Sequence, residues 1–292
     1  MNLSVFHFIN PFSTQDTKLN RIQKITFESI ECAADSEIEG ITLRLGFVRH
    51  EKETLATNQR WVELPTLNRT VLDIDYFNDG KPYPLIADII KSALSHEADF
   101  YIFSNMDIGV QPHFYQFVAG QIKAGYDGLI INRRRIGDEH IDQTLDEIYK
   151  EKGKAHPGFD CFVFSREMAE RMILGHICVG IPFVGVTLAH NIFAFAEKPK
   201  LFDQELLTFH IGEELFPPRH RELYWHNRKI FFRHILPKLY PHLSLNRMPF
   251  FEKPRLIQLL KWIMNPSLFT LLFFRLLLKS ARSGKEKPTF MD

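Results

Sequence analysis

The chain has 292 residues, 45% of them hydrophobic, and a formal net charge of +1. That is enough apolar material for one large α/β domain or two small ones, and it excludes a disordered chain. Three cysteines, Cys32, Cys161 and Cys178, are too few and too scattered for a disulfide framework or a zinc site, and they point to a reducing, cytoplasmic compartment.

Leu3 to Ile9 is an apolar run closed by Asn10-Pro11, which predicts a first central strand ending in a loop. Met1 to Phe6 carry no basic region and no small-residue cleavage site, so they read as a strand that starts at once rather than a secretory signal. Ser13, Thr14 and Asp16 offer helix caps, and Leu19, Ile22, Ile25, Ile30 and Ala33 follow at helical spacing. Ile41, Leu43, Leu45 and Phe47 then alternate with Thr42, Arg44 and Gly46, the period-two mark of a strand with one wetter face. Residues 49–80 are polar; loops are expected there, with one short strand at 70–74. Leu85, Ile86, Ile89, Ile90, Ala93 and Leu94 form the apolar stripe of a helix.

That helix delivers the chain to Phe100-Tyr101-Ile102-Phe103, four bulky apolar residues that predict a short strand buried on both faces. The strand runs into a polar tip, Ser104-Asn105-Met106-Asp107, and open α/β sheets bind ligands just outside the carboxyl ends of their strands. Asn105 and Asp107, two apart, could present two oxygens to one hard cation.

Phe114, Phe117, Val118 and Ile122 mark another helix, and Gly128 to Asn132 the next strand. A polar stretch from Arg133 to Ala155 follows, opening with three consecutive arginines. His156 to Phe164 reads as a loop and a buried strand, with Ser165 capping a helix. Gly185, Leu188, Ala189, Ile192 and Phe193 predict a helix, and Leu206 to His210 a last strand, followed by Glu213 and Glu214. This alternation argues for a mostly parallel, three-layer α/β sheet.

The Asn105-Met106-Asp107 tip resembles the Asp-x-Asp region of nucleotide-diphospho-sugar glycosyltransferases of the GT-A fold, with Asn105 in place of the first acid. The resemblance covers roughly residues 3–214 and implies a GT-A-like, Rossmann-like three-layer fold. It implies a nucleotide-diphosphate sugar as donor, an unidentified hydroxyl (glycan, lipid-linked or small molecule) as acceptor, and Mn2+ or Mg2+ as cofactor. His210, after the last core strand, matches the place of the family's third metal ligand, so the implied metal set is Asn105, Asp107 and His210. Asp160 matches the acceptor-side acid that in an inverting enzyme takes the hydroxyl proton. Arg133 or Arg134 would meet phosphate, and Asn10 and Pro11 lie where the family holds the nucleoside. Glu213 and Glu214 would orient His210. The other reading is a catalytically degenerate GT-A domain that binds a nucleotide sugar or a partner, which the loss of an acid at Asn105 would favour.

Gly-x-Gly-x-x-Gly after the first strand, Gly-x-x-x-x-Gly-Lys, Gly-x-Ser-x-Gly and His-Glu-x-x-His do not occur, so dinucleotide dehydrogenases, P-loop enzymes and common hydrolases are excluded. From Leu215 to Asp292 there are 15 Lys and Arg against 4 Asp and Glu. Residues 1–214 are therefore read as a catalytic domain and 215–292 as a basic helical extension. Tyr224, Trp225 and Phe231 have the spacing of core residues, so nucleic acid is not expected as a partner. Within 255–287, apolar runs hinged at Pro266 and flanked by Arg255, Lys279, Arg282, Lys285 and Lys287 are too interrupted to span a bilayer. They suit peripheral contact with the cytoplasmic face of a membrane.

Overall fold

A computed structural model describes residues 2–54, 58–78, 80–212 and 221–264, together with 275, 278, 279 and 281. Its strands are β1 (Leu3–Ile9), β2 (Ile41–Phe47), β3 (Trp61–Glu63), β4 (Phe100–Ser104), β5 (Gly109–Val110), β6 (Gly128–Ile136), β7 (Lys154–Ser165), β8 (Pro199–Phe202) and β9 (Thr208–Ile211). They form one mixed sheet in the order β3-β2-β1-β4-β7-β6-β9-β5, with β8 on a side branch of β6. The pairs among β1, β2, β3 and β4 are parallel, as are β6 with β8 and with β9; β7 runs antiparallel between β4 and β6. The three-layer α/β architecture expected from the sequence is the one the chain adopts.

The helices are α1 (Thr17–Ala34), α2 (Ile86–Ala93), α3 (Phe114–Lys123), α4 (Leu145–Ile148), α5 (Arg166–Arg171), α6 (Val184–Phe195), α7 (Arg221–Ile230), α8 (Leu236–Leu239) and α9 (Arg255–Met264). Strand alternation divides them between two faces of the sheet. Phe6, Phe8, Tyr101, Phe103, Phe162 and Phe164 pack against α2 and α6. Val5, Ile9, Ile102, Leu129 and Val163 face the other way, with Ile30 of α1 and Phe114 and Val118 of α3. Leu236, Leu239 and Trp262 join the first of these cores, so the helices after residue 220 share their apolar interior with the sheet.

Two expectations are corrected. Residues 70–74 do not form a strand: Thr70 and Asp73 cap one another, the Thr70 N–H donating to Asp73 Oδ2 (2.8 Å), which closes a short 3-10 turn over Val71–Asp73. The strand expected over Gly128 to Asn132 does not end there. β6 continues through the three arginines to Ile136, because β9 pairs with this second half of the strand, Arg133↔Thr208 through Ile136↔Ile211.

No helix among the described residues is long and apolar enough to cross a membrane. On α9, Gln258 and Trp262 are buried, while Leu256, Ile257, Leu260, Ile263 and Met264 are all exposed. Their spacing places them along one side of the helix.

Candidate active site at the end of strand β4

β4 ends where the chain leaves its core. Ser104, the last strand residue, is fully buried, and its hydroxyl lies 2.9 Å from His7 Nε2. Asn105, the next residue, points to β7: its backbone N–H donates to the Asp160 carbonyl and its side-chain Nδ2 to Asp160 Oδ1, both at 3.1 Å. Asp160 Oδ2 is in turn ion-paired with the Arg133 guanidinium on β6, and the two side chains are 10% and 1% exposed.

Two residues further on, Asp107 Oδ2 lies 3.2 Å from His210 Nε2 on β9. The turn that brings Asp107 there is tied at its start by the Ile108 N–H to the Asn105 carbonyl. The arrangement therefore draws on four strands: Asn105 and Asp107 just after β4, Arg133 within β6, Asp160 within β7 and His210 on β9.

The electrostatics couple these groups. Burial pushes the Asp160 carboxyl up from its ordinary value, and the Asp107 charge adds to that, while Arg133 and His210 oppose it. Burial acts upward on Asp107 too, but its hydrogen bond to His210 and the charges of His210 and Arg133 outweigh burial and leave it below the usual carboxylate range. The two carboxyls are thus shifted in opposite directions within one cluster. Two such unlike carboxyls side by side are what acid–base chemistry uses.

The donor set fits a divalent cation. His210 Nδ1 sits 3.2 Å from the Gly212 carbonyl and Nε2 3.2 Å from Asp107 Oδ2, two partners that only accept, so a cation between Nε2 and the carboxylate would take the place of a ring hydrogen there. Two ligands at right angles on a cation with bonds of about 2.1 Å lie roughly 3 Å apart, which matches this pair. An imidazole with oxygen donors suits Mn2+. Among the described residues no group of three or more His, Cys, Asp or Glu is placed to hold a metal, and this pair of side chains is no exception. Asn105, an amide, would be the uncharged third donor, since its NH2 is directed at Asp160 and its oxygen is not.

The remaining sequence candidates lie apart from these five. Arg134 donates from Nε to the Lys152 carbonyl and from a terminal nitrogen to the Gly153 carbonyl, both at 2.8 Å, holding the β6–β7 connection. Asn10 donates to the Val48 carbonyl (2.7 Å), locking the ends of β1 and β2 together, and Pro11 beside it is buried. A cavity of about 550 Å³ opens next to this loop, lined among others by Phe12, Gln23, Phe27 and Trp61. Glu213 and Glu214 lie outside the described residues.

Two residues not singled out from the sequence belong to the cluster. Arg135, in register with His210 across β6 and β9, has a buried Nε with no hydrogen-bond partner among the described residues. His156 on β7 is held down to about 4 by burial and by the charges of Arg133, Arg135 and His210. The available sequence signal is the i, i+2 spacing of Arg133 and Arg135, which in a strand puts both on one side and Arg134 on the other.

No protein-family model matches the chain and no curated protein matches it. Solved structures similar to it include S. aureus TarS 1–349 in complex with UDP, at 11% identity over 96% of this chain and 87% of that one, with a TM-score of 0.48. The same protein in complex with UDP-GlcNAc is similar at 12% identity over 87% of this chain and 74% of that one, with a TM-score of 0.46. So is the mannosyltransferase PcManGT from Pyrobaculum calidifontis in complex with GDP-Man and Mn2+, at 13% identity over 98% of this chain and 77% of that one, also with a TM-score of 0.46. Likeness at this level concerns the general course of the chain and says nothing of activity.

Proposed function

We propose that the protein is a GT-A-type glycosyltransferase that moves a sugar from a nucleotide-diphosphate donor to an acceptor hydroxyl, assisted by Mn2+ or Mg2+. The observation that carries this reading is the meeting of Asn105, Asp107, Arg133, Asp160 and His210 at the carboxyl end of β4, with two carboxyls shifted in opposite directions. In an inverting displacement the acceptor oxygen bonds to the anomeric carbon, and the bond from that carbon to the diphosphate oxygen breaks. The hydroxyl proton passes to a base.

Asp160 is that base: burial raises its proton affinity, and the ion pair with the Arg133 guanidinium opposes that rise. Asp107, His210 and the Asn105 amide oxygen would hold the cation, which when bound neutralises charge developing on the leaving diphosphate. Asn10 and Pro11, next in the chain to Phe12 of the cavity wall, would border the nucleoside.

Thermal shift measurements with UDP-, GDP- and CDP-sugars, with and without Mn2+, test the reading. A donor at a hundred times its dissociation constant should add about 2.7 kcal/mol of stability. No shift with any of them overturns it. Release of free nucleotide in the presence of donor then separates an enzyme from a binding module. The second reading draws on the engagement of Asp160 with both Arg133 and Asn105, and donor binding without any nucleotide release would favour it.

We also infer that α9 brings this site to a membrane-proximal acceptor, at the cytoplasmic face. Supporting this are the exposed apolar side of α9 and the flanking Lys253 and Lys261, which suit an anionic lipid surface.

A further inference from the structure

Of the three consecutive arginines on β6, two are already committed. Arg133 neutralises Asp160, and Arg134 holds the carbonyls of Lys152 and Gly153. Arg135 differs. It is half-buried, and its Nε is enclosed with no hydrogen-bond partner among the described residues. A buried guanidinium nitrogen left without an acceptor costs of the order of 1–3 kcal/mol, so its retention calls for an anion that arrives later.

We propose that Arg135 receives the diphosphate of the donor, next to the cation held by Asp107 and His210. This rests on the nucleotide-sugar reading and adds to it a residue and a consequence. The register sets the geometry: Arg135 lies opposite His210 on β9, while Phe209 and Ile211, on either side of His210, point into a separate apolar cluster with Ile136. Arg135 and His210 therefore share the polar side of this pair of strands.

His156 approaches the same side from β7. Its Nδ1 accepts from the Gly158 N–H (2.9 Å), which leaves the ring hydrogen on Nε2, and its low proton affinity, about 4, keeps it neutral. A fixed guanidinium fork beside a neutral N–H donor is a phosphate-binding combination.

Asn105 gives a reason for such a residue. With an amide in place of a carboxylate, the site brings one less negative charge to the cation and would hold it more weakly. A guanidinium fixed in the strand supplies positive charge whether or not the cation is bound. Diphosphate binding should then persist, weakened, when metal is withdrawn.

The test is calorimetric titration of the full chain with UDP, GDP and inorganic pyrophosphate, each in Mn2+ and in EDTA. The wild type should bind pyrophosphate and at least one nucleotide in both conditions. Arg135→Gln should weaken both ligands roughly ten- to hundredfold, the range expected for charge-assisted hydrogen bonds. Arg135→Lys, which keeps the charge without the fork, should fall between and melt like the wild type. Lys154→Gln, the same loss of charge one strand away, should change affinity by no more than about twofold, as a screened surface charge does.

Nucleotide binding that is indifferent to Arg135→Gln and Arg135→Lys overturns the assignment and leaves the nucleotide-sugar reading standing. Arg135-dependent pyrophosphate binding with no response to any nucleotide does the reverse. If neither ligand binds, both fall.

Discussion

Ser104 and Asn105 are neighbours in sequence and belong to two polar clusters of opposite character. Ser104 closes the first: His7 Nε2 lies 2.9 Å from its hydroxyl, and His7 Nδ1 lies 2.6 Å from the Tyr115 hydroxyl, so both ring nitrogens are satisfied in the interior. Burial lowers His7 to about 3 and raises Tyr115, so this cluster is neutral at every physiological pH. Asn105 opens the second, in which Arg133 is ion-paired with Asp160, Asp107 meets His210, and the Arg135 Nε has no hydrogen-bond partner among the described residues. The neutral cluster ties β1, β4 and α3 into one frame. The charged cluster is costly to keep, because desolvating paired ions often returns nothing to stability. The contrast sets a cluster that holds the fold beside one whose cost fits the proposed chemistry.

The sharpest way to break the contrast is to remove one partner of the buried ion pair. Arg133→Ala should destabilise the chain by about 3–5 kcal/mol in chemical denaturation, because Asp160 is left buried and uncompensated. Arg133→Met combined with Asp160→Leu should recover most of that loss and abolish transfer. Near-additive losses would mean that the pair is part of the frame and not a cost borne for function. Asp160→Asn alone should abolish turnover while leaving donor binding within a few-fold, if Asp160 is the base.

Acid should act on the frame before it acts on the site. His7 and His190 are fully buried with proton affinities lowered to about 3 and about 4, so the folded state refuses protons that the unfolded chain takes up near pH 6.5. Stability is therefore fully present above about pH 6.5 and is lost as pH falls, on the order of 1 kcal/mol per pH unit for each histidine. The two site carboxyls work against one another: lowered Asp107 loses its contribution as pH falls, whereas raised Asp160 regains stability on protonation. Guanidinium melts from pH 7.5 to 4.5 should show this steep decline in the wild type, and a visibly shallower one in His190→Phe. Equal slopes would mean that His190 does not stay neutral.

A smaller effect sharpens the account of the neutral cluster. Tyr115→Phe leaves one nitrogen of His7 without its partner and should cost about 1–3 kcal/mol, and Ser104→Ala about the same or less. Neither should alter metal dependence of donor binding. A change in the Mn2+ requirement of Ser104→Ala would show that the two clusters are not separable.

Much of this was legible in the sequence, for physical reasons that name themselves. Phe100 to Phe103 announce β4 because a strand covered on both faces must be apolar throughout, and the polar residues after it mark where cover ends. Arg133 to Ile136 read as a polar stretch beyond the strand because the second half of β6 is flanked by strands and polar partners, and so carries no apolar alternation. β8, four residues of which only Phe202 is buried, offers too little pattern to be seen. Asp107 and His210 were singled out through the motif and its order in the chain. The nearness of Arg135 and His156 to them could not be read there, since it depends on the register of β6 with β9 and with β7, which is set by long-range pairing.

The smallest effect on the fold is expected at α9, and there the comparison is between its two sides. Gln258 and Trp262 are buried, so removing the helix would damage the core, and truncation would not isolate a surface role. Leu260 and Ile263, each 49% exposed, can be changed without that damage. Leu260→Ser with Ile263→Ser should shift stability by no more than about 0.5 kcal/mol, as surface substitutions do. The same double variant should lose a large part of any co-sedimentation of the full chain with vesicles rich in phosphatidylserine, and the wild type should bind neutral vesicles less. Raising the salt concentration should weaken wild-type binding, because each basic residue near the surface contributes on the order of 1 kcal/mol and is screened. Wild-type protein that fails to sediment with anionic vesicles at low salt would remove the membrane role. A double variant that instead loses several kcal/mol would show that this side of α9 is covered within the fold.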